Sequence, residues 1–266
     1  MTHYFSGEVA PEFIYPMKPI ALISDIHANI DALQAVLDDI DRQEMDDIIC
    51  LGDVVGYGAA PAECVKLIRE RCSITLMGNH DEYLVRDPDK FVLSRRIRDP
   101  LVLAKETVPM DDLKWLSKLP YSSVIHGFTI VHGSLHNPES FNYLQDRMDA
   151  LLHFEAQTTP ICFFGHTHLP AIALEYPDEI RWGIPGESEM LLDRTKKCAI
   201  NVGSVGQPRD GSTRATYGIY DPEMNSFTLR RVSYDIEKAA ERIRKAGMPE
   251  ENAQRLFGDQ SPLKWS

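Results

Sequence analysis

This 266-residue sequence has no run approaching the ~20 apolar residues needed to span a bilayer, and no basic stretch leading into an apolar core near residue 1. Neither a membrane helix nor a secretory leader is expected. Cysteine is scarce. Cys50, Cys64, Cys72, Cys162 and Cys198 form no CxxC pair, and most sit inside apolar runs. They read as buried reduced thiols, not as a disulfide framework or a thiolate zinc site, and a cytoplasmic protein is expected. Positive charge is also short: 28 Lys and Arg against 40 Asp and Glu leave a net charge of -12. That balance excludes a general binder of nucleic acid or anionic membrane. There is no internal repeat, low-complexity tract or linker rich enough to divide the chain. With 43% hydrophobic and 26% charged residues, the composition is that of an ordinary globular protein.

What is present is a strand–helix alternation. Ile20-Ala21-Leu22-Ile23 is a continuously apolar run, as expected of a strand covered on both faces. Asn29 can cap a helix whose apolar positions are Ile30, Leu33, Leu37 and Ile40. A second strand follows at 48–51, and then a helix opened by Pro61. A third strand is expected at 74–77. This repetition predicts a parallel sheet with right-handed crossovers. Residues 80–120 read as helical pieces broken by Pro88, Pro100 and Pro109. Strands are then expected at 121–126, 128–132, 161–164, 171–175, 198–202, 215–220 and 226–233, and a last amphipathic helix at about 235–246. The later strands, several joined by short turns, make the sheet mixed or add a second one. The expected organisation is an irregular arm at 1–18, one domain at 19–246 and a polar tail at 247–266. Within the domain, 83–118 is a helical insertion and 176–197 a variable hairpin. Arg86, Lys90, Arg95, Arg96 and Arg98 make the first insertion basic. It reads as a solvated helical face or as a roof over a site.

Five short stretches follow expected strands. They are Asp25-Ile26-His27, Gly52-Asp53-Val54-Val55-Gly56, Gly78-Asn79-His80-Asp81, His132-Gly133-Ser134 and Gly165-His166-Thr167-His168. Functional groups in open α/β sheets collect beyond the carboxyl ends of strands. Asp25 and His27, two apart on an extended strand end, are expected to point the same way, as are His166 and His168. Glycines before Asp53 and Asn79 let the backbone turn sharply. Alone, each stretch is also readable as a turn, a helix cap or a core histidine pair. Together they offer carboxylate, amide and imidazole donors without thiolate, which suits Mn, Fe, Zn, Co or Ni. Seven such ligands exceed one ordinary site. They suit two metals about 3.5–4 Å apart that share a carboxylate. Arg209 lies in a glycine-rich loop expected to present N–H groups and a guanidinium to an anion. Asn29 and Tyr57, beside the ligand stretches, are candidate pocket-lining residues, with capping and packing as their other roles. His3, His126, His136 and His153 read as structural or solvated.

The same five stretches resemble the signature of the calcineurin-like metallophosphoesterases, over about residues 19–234. The segment Asn201-Val202-Gly203-Ser204-Val205-Gly206-Gln207-Pro208-Arg209-Asp210-Gly211 is similar to a late glycine-rich segment of small bacterial members. Those members are described as phosphodiesterases, diadenosine-tetraphosphatase-like enzymes or protein-phosphatase-like enzymes. One departure is Ala28, where many members have glycine. The resemblance implies an α/β fold: a four-layer α-β-β-α sandwich of two mixed β-sheets flanked by helices. It also implies that Asp25, His27, Asp53 and His168 hold one metal, while Asp53, Asn79, His132 and His166 hold the other. His80 would face the phosphoryl group as acid or imidazolium; Asp81 reads either as the group that orients it or as a helix N-terminal charge. The implied activity is hydrolysis of phosphate mono- or diesters by a metal-bridging hydroxide, with two divalent ions, Mn, Fe or Zn. The expected partner is a small phosphate ester such as a nucleotide, a dinucleoside polyphosphate or a phosphoprotein, without long nucleic acid or membrane. The other readings are a non-hydrolytic scaffold on the same fold and a single-metal zinc hydrolase. The acidic total fits such a substrate, because two bound divalent ions would outweigh Asp25 and Asp53 locally.

Overall fold

A computed structural model describes residues 18–86 and 90–258. The expected N-terminal arm lies outside the described residues except for Lys18. Side chains alternate across the first strand, β1 (Ile20–Ile23). Ile20 and Leu22 enter one apolar cluster, and Ala21 and Ile23 enter another. Both faces are covered, so the strand is apolar throughout. Through α1 (Ile30–Arg42) and α2 (Pro61–Arg71) it connects to the parallel neighbours β2 (Asp47–Cys50) and β3 (Ile74–Thr75). Antiparallel strands extend this sheet on the far side of β1: β11 (Ala215–Asp221), β12 (Ser226–Val232) and β9 (Met190–Leu191).

The second sheet runs β4 (Ser122–Ile125), β5 (Phe128–Val131), β6 (Ile161–Phe164), β10 (Cys198–Asn201), β7 (Ala171–Glu175) and β8 (Ile180–Gly183). It is also mixed, with β6 parallel to both β5 and β10. The sheets meet face to face, Ile20, Leu22 and Ile49 packing against Phe128, Phe163 and Ile200. The outer face of the first sheet is covered by α1 and α2, with α4 (Arg95–Thr107) and α5 (Met110–Leu116) added from the insertion. The second is covered by α6 (Arg147–Ala156). This is the expected α-β-β-α arrangement of two mixed sheets.

Several local expectations fail for identifiable reasons. Pro100 does not break the chain but sits inside α4. Its missing N–H leaves the carbonyl of Arg96 without an intrahelical donor. Asn252 supplies one: its Nδ2 donates to Arg96 O at 3.0 Å and to Tyr57 O at 2.9 Å. Asn252 belongs to α8 (Glu250–Gln254), within the stretch expected to be a tail. Asn252, Ala253 and Leu256 are buried there, beside α7 (Ile236–Lys245). So few anchors, one of them polar, produce no readable period. Residues 176–197 form no single hairpin: β8 pairs with β7, whereas β9 pairs with β12 of the other sheet. The third strand ends after Thr75 instead of Met77. Met77 N turns to Pro120 O at 2.8 Å, and the backbone departs toward the site.

Helix α6 has a weak apolar face and was not legible beforehand. Asp146 caps it, accepting from Asp149 N at 2.9 Å, and it carries the buried His153. The His153 Nδ1 accepts from Leu135 N at 3.1 Å, three residues beyond His132. Burial pushes the His153 imidazole down from 6.5 to about 4. Between those values the unfolded chain binds a proton that the folded chain refuses, so the neutral ring stabilises the fold fully above about pH 6.5. That contribution, on the order of 3 kcal/mol, drains away as the pH falls toward 4. Unfolding in denaturant across pH 7 to 4 is expected to show a shallower loss for His153→Gln, which keeps an acceptor but cannot titrate. Equal slopes for the two proteins would refute this account.

Candidate metal centre

The connections leaving β1 and β2 run side by side as a continued ladder. Asp25 N donates to Gly52 O at 3.0 Å, His27 N to Asp53 O at 2.9 Å and Ala28 N to Val54 O at 2.9 Å. The strand ends are not extended, however. Asp25, His27, Asp53, His166 and His168 all lie in the left-handed region, with φ of 54, 48, 55, 64 and 62°. Such angles are uncommon outside glycine and cost free energy that the surroundings must offset. The two-apart pairs therefore converge through tight turns and not through strand alternation, which corrects the geometry expected from the sequence. Two glycines permit the approach of neighbouring loops. A Cβ on Gly78 would stand 2.2 Å from both Asp53 N and Asp53 Oδ1, and one on Gly165 would stand 2.6 Å from Asp25 Oδ2.

The predicted ligand residues come together. Asp25, His27 and His168 present donor atoms within 4.8 Å of one another, and Asp53, His132 and His166 do the same. Asp53 also groups with His27 and His80 and so touches both clusters. Its Oδ2 lies 3.3 Å from His132 Nε2 and 3.6 Å from His27 Nε2. Asp25 Oδ1 lies 3.3 Å from His168 Nε2. Three imidazoles are oriented by backbone carbonyls. His27 Nδ1 donates to Val55 O at 3.0 Å, His132 Nδ1 to Leu51 O at 2.9 Å and His168 Nδ1 to Gln207 O at 2.6 Å. A carbonyl only accepts, so each Nδ1 carries the hydrogen, and in the neutral ring each Nε2 keeps a lone pair. The Nε2 atoms of His27 and His168 nevertheless face each other at 3.0 Å. Asp25 Oδ1, Asn79 Oδ1 and His132 Nε2 are buried and have no hydrogen-bond partner among the described residues. Buried lone pairs aimed at one another are costly unless a cation lies among them. The donor set fits divalent metal ions.

Electrostatics agree. Burial pushes His27 and His168 well below the ordinary histidine value and His166 down to about 3, so all three are neutral, ligand-competent bases. Burial, reinforced by Asp53, pushes Asp25 up to about 7. Burial would also raise Asp53, but the neighbouring His132 and His80 hold its carboxyl well below the usual range. Burial opposes protonation of His132, yet Asp53 and then Asp25 raise it to about 9.

His80 opens α3 (Asn79–Arg86) directly after the ligand candidate Asn79. Its N–H donates to Asp53 Oδ1 at 2.9 Å, and its ring packs edge-on to His27. Burial pushes it down to about 4, and Arg209, His132 and Arg96 act in the same direction. Of the two roles read for Asp81, its place in the first turn of α3 matches the one at the helix N-terminus. Its carboxylate accepts from Val54 N, Val55 N and Gly78 N at 3.0–3.2 Å and thereby clamps the Asp53 loop to α3. Its hydrogen bonds do not orient His80. Asn29 is likewise committed elsewhere, capping Ala32 N at 3.1 Å and donating to Gly206 O at 2.9 Å. Tyr57 and Arg209 do line the cavity, which holds about 220 Å³. In the glycine-rich loop, Val205 N and Gly206 N are spent on Ser24 O and Asp25 O. Only the Arg209 guanidinium faces the pocket from that loop.

Other contributors carried no sequence signal. Tyr143 stacks on His166 with ring centres 4.2 Å apart, and Phe141 and Tyr83 complete an aromatic rim. Asn201 Nδ2 donates to Gly165 O at 2.6 Å, and Ser204 Oγ to Asp25 O at 2.9 Å, so β10 and its exit hold two ligand loops. Asn201 and Ser204 lie in the quoted glycine-rich segment, where their supporting role became visible only through contacts.

Residues 17–225 match the calcineurin-like phosphoesterase superfamily domain. The chain belongs to that family. It is 38% identical over 243 residues to an uncharacterised protein of Methanocaldococcus jannaschii, covering 90% of this chain and 97% of that one. It is 37% identical to the metallophosphoesterase of Sphaerobacter thermophilus, whose crystal structure superposes with a TM-score of 0.78 over 90% of this chain and 97% of that one. A shorter match, 28% identity over 120 residues and 44% of each chain, is to the symmetrical bis(5'-nucleosyl)-tetraphosphatase of Aromatoleum aromaticum.

Replacing Gly78 by Ala drives a methyl group into Asp53. We expect a stability loss of about 1–3 kcal/mol in denaturant unfolding, together with reduced metal content by elemental analysis. Unchanged metal content would show that Asp53 does not need this close approach.

Proposed function

We propose that this protein is a dinuclear-metal phosphoesterase that hydrolyses phosphate mono- or diesters. The observation that carries the reading is the pair of His27 and His168 Nε2 atoms, 3.0 Å apart with neither able to donate. A cation satisfies both lone pairs at once. Asp25, His27, Asp53 and His168 would hold one ion, and Asp53, Asn79, His132 and His166 the second. Oxygen and imidazole donors without thiolate suit Mn, Fe or Zn. Two ions bound there would supply positive charge to phosphoryl oxygens and lower the pKa of water at that spot.

The chain's own groups supply positioning and a proton. His80 lies in the cavity wall beside Asp53 and is the donor for the leaving oxygen. Burial disfavours its imidazolium, and an arriving phosphoryl dianion acts the opposite way. Asp81 serves as a positioning residue, holding the loop that bears Asp53. The Arg209 guanidinium is a planar fork matched to phosphate oxygens, and Tyr57 packs beside it. A cavity of about 220 Å³ admits a small ester, in keeping with a net charge of -12 that disfavours long nucleic acid.

The test is a panel of aryl phosphates, aryl phosphodiesters and nucleotides with Mn²⁺, Fe²⁺ and Zn²⁺ in turn. Turnover is expected to require metal and to vanish with a chelator. His80→Ala should keep two metal equivalents by elemental analysis while kcat falls about 10²–10⁴-fold. Metal loss in that variant would contradict the role given to His80. Absence of hydrolysis with every metal would overturn the reading in favour of a non-hydrolytic scaffold.

A further inference from the structure

The loop that carries Arg209 is gripped by two cross-strand neighbours. It runs from the end of β10 to the start of β11, and Thr216 of β11 stands opposite Arg231 of β12. Thr216 holds the near end of the loop: its Oγ1 accepts from Ser204 N at 2.8 Å and donates to Ser204 O at 3.1 Å. Arg231 holds the far end, through an ion pair between its Nη2 and Asp210 Oδ2. Asp210 is the residue directly after Arg209. The two charged side chains are only 14% and 16% exposed, so water screens their attraction far less than it would at an open surface.

Arg209, by contrast, has no carboxylate partner among the described residues. Its guanidinium donates only long bonds, 3.3 Å to Gln207 Oε1 and 3.5 Å to Tyr57 Oη, and its Nε is buried with no partner. It lines the cavity, and its backbone N–H donates to the carbonyl of the ligand candidate His168 at 3.2 Å. The carboxylate next to it in the chain is committed on both oxygens. Asp210 Oδ1 accepts from Ser212 N at 3.1 Å, and Oδ2 meets Arg231. Arg231 has one further acidic neighbour: its Nε lies 3.8 Å from Glu187 Oε1, but Glu187 is paired more closely with Arg214, at 2.8 Å.

We infer that Arg231 is a positioning residue: by engaging Asp210 it keeps the neighbouring Arg209 guanidinium uncommitted, so that Arg209 is available to an anion in the cavity. An unpaired carboxylate one residue away would draw that guanidinium to itself or cancel much of its field. An arginine already paired with an acid has less to offer a phosphate, because its forked donors are spent. The arrangement is a division of labour between two arginines. Arg231, outside the cavity lining, neutralises the acid, and Arg209 faces the pocket with its charge intact. The inference rests on the phosphoesterase reading only for the nature of the anion that Arg209 meets.

The test is equilibrium binding of orthophosphate to the Mn²⁺-loaded protein by calorimetry, with turnover measured separately. Arg209→Gln sets the scale, with affinity expected to fall about tenfold for one charge-assisted contact. Arg231→Gln is expected to lower affinity by a similar factor. Adding Asp210→Asn to Arg231→Gln keeps the acceptor for Ser212 N but removes the charge, and is expected to restore affinity to within about threefold. A merely structural role for the ion pair predicts no such rescue. Arg214→Gln, which removes a charge that pairs with Glu187 and not with Asp210, leaves phosphate affinity intact. Should Arg231→Gln fail to fold, Arg231→Lys keeps a point charge without the fork; a loss of about threefold, reversed by Asp210→Asn, is then expected, and unchanged affinity overturns the inference. It is also overturned if Arg209→Gln causes no loss, if Arg231→Gln causes none, if the double variant stays as weak as Arg231→Gln, or if Arg214→Gln causes an equal loss. A loss in Arg209→Gln without one in Arg231→Gln leaves the phosphoesterase reading standing. Loss and rescue as described support the inference even if no ester is turned over, in which case the phosphoesterase reading is the one that fails.

Discussion

Asp53 is a carboxylate with almost no contact with water, at 1% exposure, and it is shared between two clusters of donor atoms. One oxygen anchors the first turn of α3 through His80 N. The other stands between His132 and His27. A buried carboxylate in this position is tolerable only when positive charge surrounds it. Much of the neighbouring structure exists to meet that condition. Loops from both sheets bring imidazoles toward it, Asp81 fixes its backbone from behind, and Gly78 leaves the space it occupies.

Strain is concentrated at the same place. Five of the seven proposed ligands, together with Ala28 and Tyr57, have positive φ without being glycine. The loops cannot relax because their neighbours over-determine them. The ladder between residues 25–28 and 52–54 holds one side, and Asn201, Ser204 and the carbonyl of Gln207 hold the other. The β-sandwich beneath is densely apolar, so it gives these loops rigid points of departure. Preorganisation of this kind places charge-stabilising groups before a substrate arrives, and no reorganisation is then needed during reaction.

The insertion between α3 and β4 reaches the cavity wall through Ile97 of α4. Its basic residues were readable either as a solvated face or as a roof, and the structure divides them. Arg95 points to a surface partner, while Arg96 turns to Tyr57. The same helix holds Pro100, and Asn252, 152 positions further on, binds the carbonyl of Arg96 that this proline leaves free. No local pattern joins a helix proline to a buried amide near the chain's far end.

The sequence by itself picked out the candidate ligand residues and the strands that precede them, and the two-sheet architecture was implied by the family resemblance those residues carry. It could do so because apolar runs report two-sided burial and because Asp, Asn and His in short glycine-flanked stretches have few alternative uses in such number. One local rule misled. Alternation along a strand suggested that Asp25 and His27 share a face, although both adopt left-handed turns. Adjacency left two roles open for Asp81 and for Asn29, and their hydrogen bonds to Val54, Gly78, Ala32 and Gly206 select the helix-terminal ones. Only the tertiary structure decided which imidazole nitrogens face inward, because that depends on carbonyls of distant loops. Only it placed Tyr143 on His166 and Arg96 on Tyr57, because aromatic and cation–π contacts between separate segments leave no periodic trace in the chain.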